Sequence, residues 1–395
     1  MKHRWKKIRA AAGLVVVLCM SMTACSFLPE PEPEYEITAA SEGMYAYETL
    51  NEEEKQVYNE ITYAIENRLD SITVSTIDEE LLDKAHWAVY YDHCEYFWSE
   101  TYQYEIYTNR KDEVVKLVFW PTYTMDPEQQ AQYQELIDAE VAAILTDAPV
   151  DGSDYDKALY VYRTLIEDND YDLESEHNQN IISTFVNNET VCLGYSYGAQ
   201  YLLNELGIPC TTIYGMSENE AHSWNLFQMD GEYYYMDVTW GEVSYWEDVN
   251  GENDSETRDG TEGADGQANA ADADQEQTGT VNYCYFGVSD ADTAFMEEHQ
   301  AYDYVPLPEC TATENNYFIK EGLYFETWDR HAVGDKIEAA YDGGQESILL
   351  KFANREVYDE AFDYLIERSN WYRYVDKNQI TYVDHFEENV LMLEF

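Results

Sequence analysis

Positive charge is scarce in this chain: 22 Lys and Arg stand against 80 Asp and Glu in 395 residues, a formal net charge of −58. So acidic a chain has no basic face to lay along a phosphate backbone, which excludes nucleic acid as a partner. The 7 cysteines are never spaced as CxxC, and no HExxH occurs, so neither a structural zinc cluster nor a zincin site is written here and no metal or other cofactor is expected. Asp248, Asn250, Glu252 and Asp254 alternate like the start of a calcium loop, but no Gly follows at the sixth position and no Glu at the twelfth. They read as solvated acid. What is present in quantity is apolar and aromatic: 45% hydrophobic residues, 15% aromatic, 37 of them Tyr. That is enough to bury real cores, and the length suggests two or three domains.

The N-terminus carries Lys2, Arg4, Lys6, Lys7 and Arg9 ahead of an apolar run over residues 10–20 that is too short for a membrane-spanning helix. This is the pattern of a signal peptide, residues 1–24. It ends at Met22-Thr23-Ala24-Cys25, small residues before a Cys, which resembles a bacterial lipobox. Cys25 is the expected lipidation site, and the expected location is the extracellular face of a bacterial membrane, held by that lipid alone. Residues 25–43, with Pro29, Pro31 and Pro33 alternating with Glu, read as an extended, self-repelling tether.

Helical periodicity runs through 50–69 and 79–91, followed by alternating strands at 101–108 and 114–120 and helices at 127–145 and 154–167. Residues 44–150 are thus a mixed α/β region, and 151–305 a second domain. Within the latter, 247–280 hold 11 acids, one Arg and no aromatic, an acidic insert expected to be disordered. The tail, 310–395, reads as a small separate α/β domain: strand at 317–326, helix at 333–340, strand at 347–352, helix at 355–368, then strands to the end.

The chemistry lies in the second domain. Residues 191–206 place Tyr195, Ala199, Leu202 and Leu206 on one helical face, and Gly207-Ile208-Pro209 stop the helix. Cys192 falls in its first turn, where the helix N-terminus favours the nucleophilic thiolate. Further on, Asp230-Gly231 separates two strand-like runs, 222–229 and 232–240, as a two-residue hairpin loop does. In that register His222 faces Thr239 and Trp224 faces Asp237, which makes His222 and Asp237 a diagonal pair on one face. A nucleophile, a base and an orienter are what acyl transfer needs.

At these residues the sequence resembles the transglutaminase-like superfamily in its bacterial secreted form. The Cys, His, Asp order matches, with 30 residues from Cys192 to His222 and 15 more to Asp237. Around it run TVCLGYSYGAQYLLNELGIPC and AHSWNLFQMDGEYYYMDVTW. The resemblance implies an α+β, papain-like core in which a Cys-bearing helix packs on an antiparallel sheet, here flanked by small α/β domains. It implies acyl-enzyme chemistry on amides, with Cys192, His222 and Asp237 as the triad and Tyr195, Trp224, Asn225 and Trp240 flanking the site. The substrate would be a protein or peptide, and cell-envelope peptides are the guess from location. Leu193 departs from the acidic residue many relatives carry there, and the insert after Trp240 is unusual.

Two other readings compete. Gly194-Tyr195-Ser196-Tyr197-Gly198 also matches GxSxG, so Ser196 could be a serine nucleophile with Asp237 and His299. Against it, the preceding Asn187-Asn188-Glu189-Thr190 is a polar turn where an elbow needs a buried strand, so the helix opened by Cys192 is the better home for Ser196. Alternatively, the fold is a silent surface module that binds peptide or glycan through its Tyr and Trp. His299 is expected to be structural. Cys94, Cys210, Cys284 and Cys310 could form two disulfides in any of three pairings or stay as buried thiols.

Overall fold

A computed structural model describes residues 35–37, 41, 43–217, 219–242, 267–270, 281–385 and 388–395. The signal peptide, Cys25, most of the tether and the acidic insert apart from 267–270 lie outside the described residues. The chain forms two compact units. The first takes the chain up to Asp230 together with Glu298–Glu309, and the second takes Gly231–Glu297 with Cys310–Phe395.

The first unit runs α1 (Tyr45–Thr49), α2 (Glu52–Glu66), β1 (Ile72–Val74), α3 (Glu79–Asp92), β2 (Ser99–Thr108), β3 (Val114–Tyr123), α4 (Pro127–Asp147) and α5 (Asp154–Asp168). It continues with β4 (Asp170–Tyr171), β5 (Glu189–Thr190), α6 (Cys192–Glu205), β6 (Cys210–Ser217) and β7 (Glu220–Met229). The helices start where the sequence supplies caps. Asn51, Asp126 and Ser153 each accept the N–H three residues on, and Glu54, Gln129 and Asp156 reach back in return. β1, β3 and β2 form a small sheet in the order β1-β3-β2. The α2–α3 pair joins the later part of the unit through polar contacts. Gln200 Nε2 on α6 donates to the Tyr91 and Asp92 carbonyls at 2.9 and 3.0 Å, and Thr211 Oγ1 on β6 donates to the former at 2.7 Å. β6 pairs antiparallel with β7 on one side and with the returning segment His299–Ala301 on the other.

His86, on α3, is buried in an aromatic nest, its ring centroid 4.0 Å from that of Tyr102 and 4.6 Å from that of Tyr90, and neither ring nitrogen has a hydrogen-bond partner. Burial therefore pushes its pKa down to about 3. The folded state holds His86 neutral while the unfolded chain protonates it near pH 6.5. The stability this contributes is complete above that pH and is lost as pH falls from about 6.5 toward about 3. Between pH 7 and pH 5 wild type should lose about 2 kcal/mol that a His86→Phe variant keeps, read as the difference between their urea unfolding curves at the two pH values.

The second unit opens with β8 (Glu232–Met236) and α7 (Val238–Gly241), then β9 (Gln267–Ala270), β10 (Phe286–Val288) and α8 (Thr293–Glu298), whose end leads back to the first unit as β11 (His299–Ala301). It resumes with α9 (Tyr317–Lys320), β12 (Tyr324–Phe325), α10 (Arg330–Asp342), β13 (Ser347–Phe352), α11 (Arg355–Phe362), β14 (Gln379–His385) and β15 (Val390–Glu394). β8 pairs antiparallel with β10, and the tail forms a sheet in the order β12-β13-β15-β14-β9. Its edge strand, β9, comes from inside the acidic insert and runs parallel to β14.

Three strands differ from expectation. The strand read over 232–240 stops at Met236, because Asp237 caps the short α7 by accepting the Trp240 N–H. The strand read over 281–288 starts only at Phe286, after a 3₁₀ turn that Asn282 caps. The strand read over 317–326 is α9 followed by two strand residues. There Tyr317 stacks on Tyr283 with ring centroids 3.8 Å apart and Phe318 is wholly buried, so tertiary packing overrides an aromatic strand-like sequence. Among the described residues no helix is long and apolar enough to cross a membrane.

Candidate active site

Cys192 is the first residue of α6. Val191 before it is extended (φ −123°, ψ −177°), so the chain turns into the helix at the cysteine and the amides of the first turn point outward beside its thiol. Cys192 is half-buried, whereas Cys94, Cys210, Cys284 and Cys310 are buried free thiols, which answers the disulfide question left open above in favour of thiols. Burial pushes Cys94 and Cys210 far up and Cys310 to about 12, so these three stay protonated near neutrality. Cys192 alone of the described cysteines is not fully buried.

Behind Cys192 the helix is stitched to β7. Ser196, one turn on, donates from Oγ to the Cys192 carbonyl at 2.9 Å, and the same oxygen lies 3.1 Å from Ser223 Oγ. Asn225 Nδ2 donates to the Ser196 carbonyl at 2.8 Å. His222 precedes Ser223 on this strand, and His222 and Trp224 alternate along it with the two residues bonded to α6. Tyr195 is buried, and its hydroxyl donates to the Asn169 carbonyl at 2.9 Å, fixing the other side of the helix.

These bonds overturn the serine-nucleophile reading. Ser196 is 2% exposed, sits inside the helix and has its hydroxyl engaged, whereas an elbow would present it at a strand end. The glycines of GxSxG serve packing: a Cβ on Gly194 would stand 1.8 Å from Thr190 Oγ1, and one on Gly198 would stand 2.6 Å from Thr184 Cγ2. They let α6 lie against the segment that leads into it.

Asp230 (φ 55°) and Gly231 (φ 83°) both adopt positive φ between the end of β7 and the start of β8. This is the primed two-residue turn that the hairpin register required. In the second unit Asp237 is wholly buried. Its Oδ1 accepts the Trp240 N–H at 3.1 Å and its own N–H donates to the Tyr285 carbonyl at 3.0 Å. Trp240 is buried edge-on to Tyr285, ring centroids 5.3 Å apart. Cys25 lies outside the described residues.

His299, expected to be structural, is the first residue of β11, and its ring lies 5.6 Å from that of His222 and 5.0 Å from that of Trp224. The two histidines stand 77 positions apart with the acidic insert between them, and no sequence spacing signals this meeting.

A family model described as transglutaminase-like superfamily matches residues 146–238, the stretch that holds Cys192, His222 and Asp237. Residues 146–238 belong to the transglutaminase-like superfamily. The fold is α+β, as that membership implies. Among solved structures, a TGase crystal structure is 12% identical, with 35% of this chain and 51% of that chain covered and a TM-score of 0.25. A putative cysteine protease from Cytophaga hutchinsonii is 13% identical, covering 34% and 61%, with a TM-score of 0.23. The periplasmic domain of TgpA from Pseudomonas aeruginosa, bound to ethylmercury, is 17% identical, covering 34% and 58%, with a TM-score of 0.22. The chain spans between half and two thirds of the length of these structures. No curated protein matches.

Proposed function

We propose that this chain is a lipid-anchored, extracellular thiol enzyme that transfers or hydrolyses acyl groups from glutamine or peptide amides. The observation that carries the reading is the joint between α6 and β7. A half-exposed cysteine opens a buried helix, and Ser196, one turn behind it, is bonded to the residue next to His222.

In the proposed cycle the Cys192 thiolate attacks the amide carbonyl carbon, and the Cys192 backbone N–H helps to hold the oxyanion. The C–N bond then breaks as His222 delivers a proton to the leaving nitrogen. The resulting thioester is attacked by an amine or by water, with His222 taking the proton from the incoming group, and the thiolate leaves. Asp237 would keep the imidazole in the productive tautomer, the role that the proposed triad gives it. No redox or metal chemistry enters this scheme. The substrate proposed is a protein or peptide of the cell envelope, and the anchor proposed is a lipid on Cys25, which detergent-phase partitioning of the full chain would reveal.

Asp237→Asn tests the triad. Asn keeps an oxygen for the Trp240 N–H, so the fold should survive, while the tautomer control is lost. Amine incorporation into, or ammonia release from, a glutamine-bearing protein should fall by about a hundredfold or more. Full activity in a folded Asp237→Asn protein would remove Asp237 from the mechanism.

A further inference from the structure

We propose that His222 and His299 form a binding site for a divalent transition-metal ion of the zinc type, and that occupation of this site shuts the enzyme off. The inhibitory part rests on the role given to His222 above; the site itself does not.

The register of the sheet brings the two histidines together. On β6, Gly215 pairs with His222 across one edge and Ser217 pairs with His299 across the other. Paired residues share a face, and so do positions 215 and 217, so both imidazoles rise from the same side. Between them lies Gly215, with no side chain to keep them apart. A Cβ there would meet Trp224 Cη2 at 2.6 Å and the Gln300 carbonyl at 2.3 Å. The Trp224 indole takes up that space with both imidazoles packed against it, and a ring nitrogen of one histidine lies within 4.8 Å of a ring nitrogen of the other. Two imidazole nitrogens on one tetrahedral zinc stand roughly 3.3 Å apart, so small χ rotations close the site.

The surroundings suit a metal. His222 and His299 are 8% and 4% exposed, which fixes both ligands before the ion arrives. Trp224, packed against both rings and 2% exposed, keeps its indole N–H buried without a partner. A water carried in on the metal would satisfy that donor. Two imidazoles select zinc, cobalt, nickel or copper over magnesium and calcium. Once zinc holds the His222 ring nitrogen, that atom can neither take nor give a proton.

The experiment uses the chain from Ser26 onward in excess Mg²⁺, which occupies the many surface carboxylates and leaves imidazole free. Zinc affinity is measured by competition with a chromophoric chelator for wild type, His299→Ala, His299→Gln and Cys192→Ser. We expect one zinc per chain, at least tenfold weaker binding in both His299 variants, and little change in Cys192→Ser. Cobalt bound to the wild type, which needs no variant to fold, should show visible ligand-field bands without a thiolate charge-transfer band. Equal affinity in wild type and a folded His299 variant, or a thiolate band with cobalt, would overturn the site. Zinc should also slow alkylation of Cys192 in wild type. Zinc binding through His299 that leaves this alkylation unchanged upholds the site and overturns its inhibitory effect together with the role of His222.

Discussion

Replacing His222 by Ala should slow alkylation of Cys192 by iodoacetamide about a hundredfold at pH 6.5. The thiolate is the reacting form, and an ordinary thiol, with pKa about 8.5, is only about 1% ionised at that pH. In thiol enzymes a cysteine paired with an imidazole and seated at a helix N-terminus is ionised almost fully. Mass spectrometry can follow Cys192 alone, because Cys94, Cys210, Cys284 and Cys310 are buried and serve as internal controls. Equal labelling of wild type and variant would mean that the thiol is not activated by His222. The acyl-transfer reading would then give way to a silent binding module on the same scaffold.

The second large effect is on folding. Gly194→Ala should cost at least about 3 kcal/mol, or prevent folding of the first unit outright. The added methyl would stand 1.8 Å from Thr190 Oγ1 and 2.8 Å from Ser183 Oγ, two hydroxyls that lie 2.6 Å apart in a buried hydrogen bond. Neither belongs to a long side chain that could swing away, and the Gly194 carbonyl is itself held by Thr184 Oγ1 at 2.8 Å. Relief would require α6 to lift, which carries Cys192 away from β7. Chemical denaturation measures the loss. An unchanged midpoint would mean that the helix does not need this close approach, leaving the GxSxG glycines without the packing role assigned to them.

Much of the site was legible because it is local. A helix that opens at Cys192 and ends at Gly207 (φ 78°) follows from an apolar stripe and a C-terminal glycine. The Asp230-Gly231 turn follows from two residues that tolerate positive φ. Asp237 reads as a strand residue in the sequence, since β-propensity in Val238-Thr239-Trp240 outweighs, in a linear reading, one carboxylate that caps a turn. The aromatic-rich tail failed in the same way at α9, where burial of Phe318 decided the conformation.

The sequence by itself determined the superfamily of residues 146–238 and the boundaries of the helix that Cys192 opens, because these depend on side-chain types within a few turns of one another. Only the tertiary structure decided that the GxSxG glycines are contacts rather than an elbow and that His299 returns to stand beside His222. Such a meeting is set by the pairing of β11 with β6 over some eighty residues. Strand pairing of that range leaves no periodic trace in a sequence, since any extended segment offers the same backbone donors and acceptors and only the packed fold selects one.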